Sequence, residues 1–366
     1  MTVSVCVLGL GYIGLPISVV LARAGFSVVG VDINQSVVNT INSGDIHIFE
    51  PDLQLSVASV VSSGMFTAQL TPCISDVFIV AVPTPFVYVD NNLPQPNIDF
   101  VLSAAQAIGP LLRKGNLVIL ESTSPVGTTQ LFGETLCRLS GLTLDQFHVA
   151  YCPERVLPGV ILKELVSNDR VIGGLTPVAS SLVSDFYSKF CFGGLFQTNA
   201  RTAEMVKLSE NAFRDVNIAF ANELSLVCDK LHVDVRELIQ LANHHPRVNI
   251  LQPGCGVGGH CIAVDPWFIA SAAPDCTPLI QSARHVNDCK RRWVIDQVLS
   301  RASVLHDHLG RPPRIGCLGL SFKPDVDDLR ESPAMHITTE LLLAGLDVLA
   351  CEPNLQDHAS ITLFTL

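Results

Sequence analysis

Val3-Ser4-Val5-Cys6-Val7-Leu8-Gly9-Leu10-Gly11-Tyr12-Ile13-Gly14 decides the fold of this chain. The first six residues form an apolar run of strand length. The last six are G-x-G-x-x-G, and helical spacing runs over Ile13–Ala24. Glycines so placed, after a strand and opening a helix, are those of a phosphate-binding turn. Gly9 makes the tight turn, Gly11 lets the backbone approach a pyrophosphate, and Gly14 permits close helix–strand packing. The helix N-terminus attracts the negative charge. Asp32 lies 18 residues beyond Gly14, at the end of the apolar run Ser27–Val31. A carboxylate there binds ribose hydroxyls and repels a 2′-phosphate, so NAD is expected rather than NADP.

The same segment has a competing reading. Val3–Ala22 carries no charge over 20 residues, enough to span a bilayer. Gly9, Gly11, Gly14 and Pro16, with no basic region ahead of them, argue instead for a buried strand–turn–helix.

Outward from this unit, short apolar runs alternate with helical patterns. Val77–Val82, Asn116–Leu120 and Phe147–Tyr151 read as strands, and Phe100–Leu112 and Thr128–Leu139 as helices. Val171–Gly174 and Gly194–Gln197 add strand around a helix near Pro177–Phe190. This alternation implies a parallel sheet. From Ala203 to Leu231 there is neither Gly nor Pro, which allows one long helix, with further helices at Val233–Asn243 and Leu279–Leu305. Arg314–Leu320, Ala334–Leu343 and Asp347–Cys351 form one last β-α-β unit, too few strands for a sheet of its own. The fold class is therefore α/β. Residues 1–200 form a Rossmann-type NAD-binding domain, 201–305 a central helical domain, and 306–366 an incomplete Rossmann-like domain. No internal repeat is evident.

The 366 residues are 48% hydrophobic and 16% charged, with a formal net charge of −11. A globular chain is expected, without general affinity for nucleic acid or an anionic membrane. Its 12 cysteines include no C-x-x-C pair and no zinc spacing, so no metal is expected, and the absence of a disulfide framework favours the cytoplasm.

Several residues suit chemistry. Cys261 ends the run Gly254-Cys255-Gly256-Val257-Gly258-Gly259-His260-Cys261, ahead of a helical segment, with Asp265 one turn later. A thiolate there can capture an aldehyde and hold the acyl group as a thioester. His260 reads equally as a packing or a catalytic histidine. Lys207 and Asn211 stand one turn apart on the long helix and can stabilise an oxyanion, or can be a solvated face in which Glu204 pairs with Lys207. Glu154 and Thr123 follow strands, where sites form in this architecture.

Together these motifs resemble the UDP-glucose/GDP-mannose dehydrogenase family over essentially the whole chain. Tyr151–Gly159 (YCPERVLPG), His245–Gly254 (HPRVNILQPG), Gly256–Phe268 (GVGGHCIAVDPWF) and Gly319–Pro333 carry the likeness. The finer likeness is to the branch that takes UDP-N-acetyl-D-mannosamine. The resemblance implies a four-electron oxidation, with two NAD, of a sugar C6 hydroxymethyl to a carboxylate through Cys261. Asp265, with a water held by Thr123, removes the hydroxyl proton, Glu154 activates water against the thioester, and Lys207 and Asn211 stabilise the oxyanions. It also implies NAD contacts from Gly9, Gly11, Tyr12, Ile13, Gly14, Asp32, Thr84, Thr123 and Arg330. Sugar-nucleotide contacts fall to Glu154, Arg155, Val156, Lys207, Asn211, Gly258, His260 and Lys323, and to Arg247 of the same or a neighbouring subunit. A homodimer is implied through the long helix. Family members run on past the position of Leu366, so the last domain reads as incomplete and its pocket as weakened. Alternatives are oxidation of UDP-glucose, UDP-N-acetylglucosamine or GDP-mannose, a two-electron hydroxyacid dehydrogenase, and a truncated, non-catalytic NAD-binding remnant.

Overall fold

The computed structural model describes residues 2–88, 93–323, 326, 328–355 and 361–363. Pro324, Asp325 and Asp327 of the Gly319–Pro333 motif lie outside the described residues, as do Ser360 and residues 364–366 of the tail. The chain divides into two units, residues 1–208 and 209–366.

In chain order the first unit contains β1 (Ser4–Leu8), α1 (Gly14–Arg23), β2 (Ser27–Val31), α2 (Gln35–Asn42), α3 (Leu53–Ser62), β3 (Phe66–Gln69) and β4 (Val77–Val80). The hairpin β5 (Phe86–Val87) and β6 (Gln95–Pro96), α4 (Asp99–Ile108), β7 (Leu117–Leu120), α5 (Thr128–Ser140) and β8 (His148–Tyr151) follow. Then come α6 (Ile161–Ser167), β9 (Arg170–Gly174), α7 (Pro177–Tyr187), β10 (Leu195–Asn199) and the start of α8 (Ala200–Leu231). Eight strands form one sheet in the order β3-β2-β1-β4-β7-β8-β9-β10. Alternation along each strand explains the layers. Val5 and Val7 of β1 join α1, α3, α6 and α7 on one face, while Cys6 and Leu8 join α4 and α5 on the other. Helices on both faces are why the strands read as unbroken apolar runs. All pairings are parallel except one: β8 meets β9 antiparallel, Tyr151 opposite Gly173. At this one seam the sheet departs from the parallel arrangement that its other strands keep, as expected. The chain returns through a loop and the short α6 instead of making a full crossover. From β1 it leaves toward β2 on one side and, after β3, resumes at β4 on the other, so the order reverses beside Gly9. Crevices that take ligands form at such reversals.

The second unit contains the rest of α8, α9 (Val235–Ala242), α10 (Asp265–Ala272), α11 (Pro278–Leu309), β11 (Arg314–Leu318), α12 (Pro333–Leu343) and β12 (Asp347–Cys351). β11 and β12 pair in parallel, and Ala350 bridges to Leu363. Ile295 of α11 and Ile337 and Leu341 of α12 make a small core against Ile315 and Val348.

The expectation of no internal repeat is corrected. The Gly9 amide donates to Val31 O at 2.8 Å, and the Gly319 amide to Cys351 O at 2.8 Å. Leu10 N donates to the Asp32 carboxylate at 3.1 Å, and Leu320 N to the Glu352 carboxylate at 2.7 Å. Asn34 N and Asn354 N bond the second oxygens of the same two carboxylates. Gly9 and Gly319 have φ of +88° and +83°. β11-α12-β12 thus repeats the turn chemistry of β1-α1-β2. Serine at 321, in place of the second glycine, hides the likeness in sequence.

Candidate active site

The first unit builds a cofactor cradle at the β1–α1 turn. A Cβ on Gly14 would lie 1.7 Å from Gly9 O, and one on Gly9 2.6 Å from Ala81 O, whereas one on Gly11 would meet no protein atom within 4 Å. Two of the glycines therefore close the turn and the third leaves its outer side clear for a ligand. The N-cap residue of α1, Ile13, makes no side-chain cap, and the first turn holds no acid. The positive end of the helix is thus left by neighbouring side chains for an anion. Asp32 takes the Leu10 and Asn34 amides, and a carboxylate keeps further lone pairs for ribose hydroxyls. These residues fit NAD. Thr84 Oγ1 donates to Thr123 O at 2.6 Å, joining two expected cofactor residues beyond the carboxyl ends of β4 and β7.

Beyond β8, Glu154 meets Lys207 of α8. Lys207 Nζ lies 2.9 Å from Glu154 Oε1 and donates to Glu154 O at 2.8 Å, with side-chain exposures of 7% and 11%. Lys207 thus pairs with Glu154, while Glu204 turns to α5. It is buried and accepts Gly127 N, Thr129 N and Thr129 Oγ1 at 2.6–2.7 Å, capping α5. Four free amides at a helix start are a stronger demand on a carboxylate than a lysine one turn along. Val156 packs partly buried on the core, and Arg155 donates to Asp169 O at 3.1 Å.

Residues the sequence reading passed over stand behind Glu154. Glu121 follows β7, fully buried. It accepts the Tyr187 hydroxyl, and Arg170 Nη1 lies 3.6 Å away. Arg170 also sits over the Tyr187 ring at 4.5 Å. Burial pushes the Glu121 carboxyl above its ordinary range against the pull of Arg170. Burial also pushes the Cys152 thiol up to about 11, and that of Cys6 in β1 up to about 12. Such thiols are inert at neutral pH.

In the second unit the half-exposed Cys261 stands one turn before α10, its carbonyl accepting Asp265 N at 2.8 Å. Asp265 is 1% exposed, and Asn211 Nδ2 donates to its Oδ2 at 2.6 Å. The residues of the Gly254–Cys261 run dock on the later motif: Gly259 N donates to Arg330 O at 3.0 Å, and Cβ atoms on Gly258 and Gly259 would strike Phe322. His260 Nδ1 lies 3.6 Å from Asp328 Oδ2, an ion-pair distance, while Arg330 donates to Asp328 at 2.6–3.1 Å. Arg247 is exposed on a loop beyond α9. Lys323 lies at the end of the described part of its loop.

Burial opposes ionisation of Asp328, but His260 and Arg330 outweigh it and hold the carboxyl well below the usual range. Its stabilising effect is therefore complete above the unfolded carboxyl pKa of ~3.9 and is lost as pH falls below it. Urea unfolding should show wild type ahead of Asp328→Asn by about 2 kcal/mol at pH 7, the gap closing below about pH 4. A gap independent of pH from 7 to 3 would show that the charge contributes nothing.

Known proteins resemble this chain along nearly its whole length. Residues 3–191, 201–289 and 316–364 match the NAD binding, central and UDP binding domains of the UDP-glucose/GDP-mannose dehydrogenase family. A UDP-N-acetyl-D-mannosamine dehydrogenase of Campylobacter jejuni is 53% identical over 361 residues, 96% of this chain and 87% of the relative. An NDP-N-acetyl-D-galactosaminuronic acid dehydrogenase of Ralstonia nicotianae is 52% identical, over 96% of this chain and 84% of the relative. The solved UDP-D-ManNAc dehydrogenase of Pyrococcus horikoshii superposes with a TM-score of 0.90 at 40% identity, covering 97% of this chain and 85% of that one. Matched domain by domain, and more than half identical to a relative along nearly its whole length, the chain belongs to the UDP-glucose/GDP-mannose dehydrogenase family.

Proposed function

We propose that this chain is the NAD-dependent dehydrogenase that oxidises the C6 hydroxymethyl of UDP-N-acetyl-D-mannosamine to the carboxylate of UDP-N-acetyl-D-mannosaminuronate. Cys261 carries the reading: a half-exposed thiol one turn ahead of a buried carboxylate, in a chain with an NAD cradle. An alcohol reaches the carboxylate level through an aldehyde, and a thiolate can hold that carbon through a second oxidation. NAD, when bound, accepts one hydride in each oxidation. Asp265 receives the C6 hydroxyl proton as the first hydride departs. Cys261 sulfur then bonds to the aldehyde carbon, giving a thiohemiacetal. Loss of a hydride from that carbon and of the proton from its hydroxyl leaves a thioester. Water deprotonated by Glu154 attacks the thioester carbon, the C–S bond breaks, and Cys261 departs as thiolate. Lys207 and Asn211 stabilise the oxyanions formed along the way. Thr123 and Thr84 serve the cofactor, as do Tyr12, Ile13 and Arg330. Arg155, Val156, Arg247, Gly258, His260 and Lys323 serve the sugar nucleotide.

The Campylobacter and Pyrococcus relatives support the N-acetylmannosamine sugar, and the Ralstonia relative favours a second reading with another 2-acetamido sugar. Purified protein should be given NAD with UDP-N-acetylmannosamine, UDP-N-acetylglucosamine, UDP-N-acetylgalactosamine, UDP-glucose and GDP-mannose in turn. Two NADH per sugar and the highest kcat/KM on the first are expected. One NADH per sugar would remove the four-electron reaction, and a higher kcat/KM elsewhere would reassign the substrate.

The working form we propose is a cytoplasmic homodimer. Phe213, Phe220 and Val227 are 69%, 53% and 45% exposed along α8, a heptad-spaced apolar stripe that suits a second copy of the helix. None of the 12 cysteines forms a disulfide, which suits a reducing compartment, and no helix among the described residues is long and apolar enough to cross a membrane. Sedimentation equilibrium should give a dimer that Phe220→Asp converts to monomer, and a monomeric wild type would refute it.

A further inference from the structure

One face of α8 carries three polar side chains, Asn211, Asp215 and Asn222, in the second unit. All are buried, with exposures of 7%, 0% and 0%. Asn222 Oδ1 accepts the Gly254 amide at 2.8 Å, and Asn222 Nδ2 donates to Asn287 Oδ1 of α11 at 2.9 Å. Asn287 Nδ2 donates to Asp215 Oδ1 at 2.8 Å, and Arg284 Nη1 donates to the same oxygen at 2.7 Å. The direction of every link is fixed by its two ends. A backbone amide can only donate and a carboxylate can only accept, so neither asparagine can turn over without facing like against like. Such chains also polarise one another in a low-dielectric interior.

Gly254 opens the run that ends at Cys261, and Asn211 holds Asp265 just beyond it. The loop is therefore tied at both ends to one face of one helix, at points about 16 Å apart along its axis. Between the ties lie Gly256, Gly258 and Gly259, whose backbone freedom is large. We propose that Asn222 and Asn287 are positioning residues for Cys261, fixing the upstream end of the nucleophile loop as Asn211 fixes the downstream end. This inference rests on the reading of Cys261 as the nucleophile.

The test compares Asn222→Ala and Asn287→Ala with Ser225→Ala. Ser225 takes a hydrogen bond from Lys290 at 2.6 Å, another α8–α11 contact, and its own hydroxyl donates to the backbone oxygen of Asn222, not to the side chain that holds Gly254. Both asparagine variants should lose about 10- to 100-fold in kcat with KM for NAD within about twofold, since a misplacement of about 1 Å costs on the order of 100-fold. With semicarbazide present they should release trapped aldehyde, the NADH yield falling from two toward one per sugar. Ser225→Ala should keep both kcat and the yield of two. Asparagine variants with wild-type kcat and no aldehyde overturn the proposal, as does Ser225→Ala leaking aldehyde equally. A wild type yielding one NADH per sugar, or Cys261→Ser yielding two, would instead fail the nucleophile reading itself. Should the asparagine variants not fold, amide exchange in the wild type decides. Protection of Gly254 comparable with the core of α8 supports the tie, and exchange at free-loop rates overturns it.

Discussion

Cys261→Ser is expected to cut uronate formation at least ~10⁴-fold, about 5.5 kcal/mol of transition-state stabilisation, while leaving NAD binding intact. A serine hydroxyl stays protonated where a thiol ionises, so it will not hold the aldehyde carbon through the second oxidation. The loss should fall on the second oxidation and the hydrolysis, so the variant is expected to release its single NADH per sugar slowly and to stop at the aldehyde. Neither Cys6 nor Cys152 can substitute: burial pushes their thiols up to about 12 and 11. Stopped-flow absorbance with product mass spectrometry reads both quantities, and uronate formation within tenfold of wild type would exclude covalent capture at this residue.

Lys207→Met has the second largest expected effect, and it acts on two observables. The ammonium is gripped by both the carboxylate and the carbonyl of Glu154. Removing one partner of a buried pair leaves the other charge uncompensated, at a cost of about 3–5 kcal/mol. Losing an oxyanion donor lowers kcat by ~10²–10³-fold. A double variant with Glu154→Gln reads the stability alone, which should partly return because no lone buried charge remains. The rate is read on Lys207→Met itself, and a kcat within about threefold of wild type would assign Lys207 a structural role only.

The parts of this protein written locally were legible in its sequence. Gly9-Leu10-Gly11-Tyr12-Ile13-Gly14 with Asp32 specifies its turn through near neighbours, and Ser27–Val31 and Asp347–Cys351 are strands with the expected bounds. The strand Phe66–Gln69, reading Phe-Thr-Ala-Gln, is too short and polar to stand out, and α6 is only 7 residues long. Long-range hydrogen bonding hid the rest. Glu204 looks like a partner for Lys207 until α5 presents its amides. Asn222 and Asn287 lie 65 positions apart and meet only because α8 and α11 pack together. A signal was present even so: Asn211, Asp215 and Asn222 recur at helical spacing on one stripe, which is unusual for a face that must be buried. The second turn at Gly319 lacks the fingerprint glycine, and only its hydrogen bonds to Cys351 and Glu352 reveal the repeat.

Intact-protein mass spectrometry of acid-quenched turnover, followed by peptide mapping, tests the central claim most directly. Quenching within the first turnover should show protein carrying the mass of the sugar nucleotide at the thioester oxidation level, on the peptide that contains Cys261, and none on Cys261→Ser. Turnover to the uronate with no adduct at any time point, in an enzyme releasing two NADH per sugar, would contradict it.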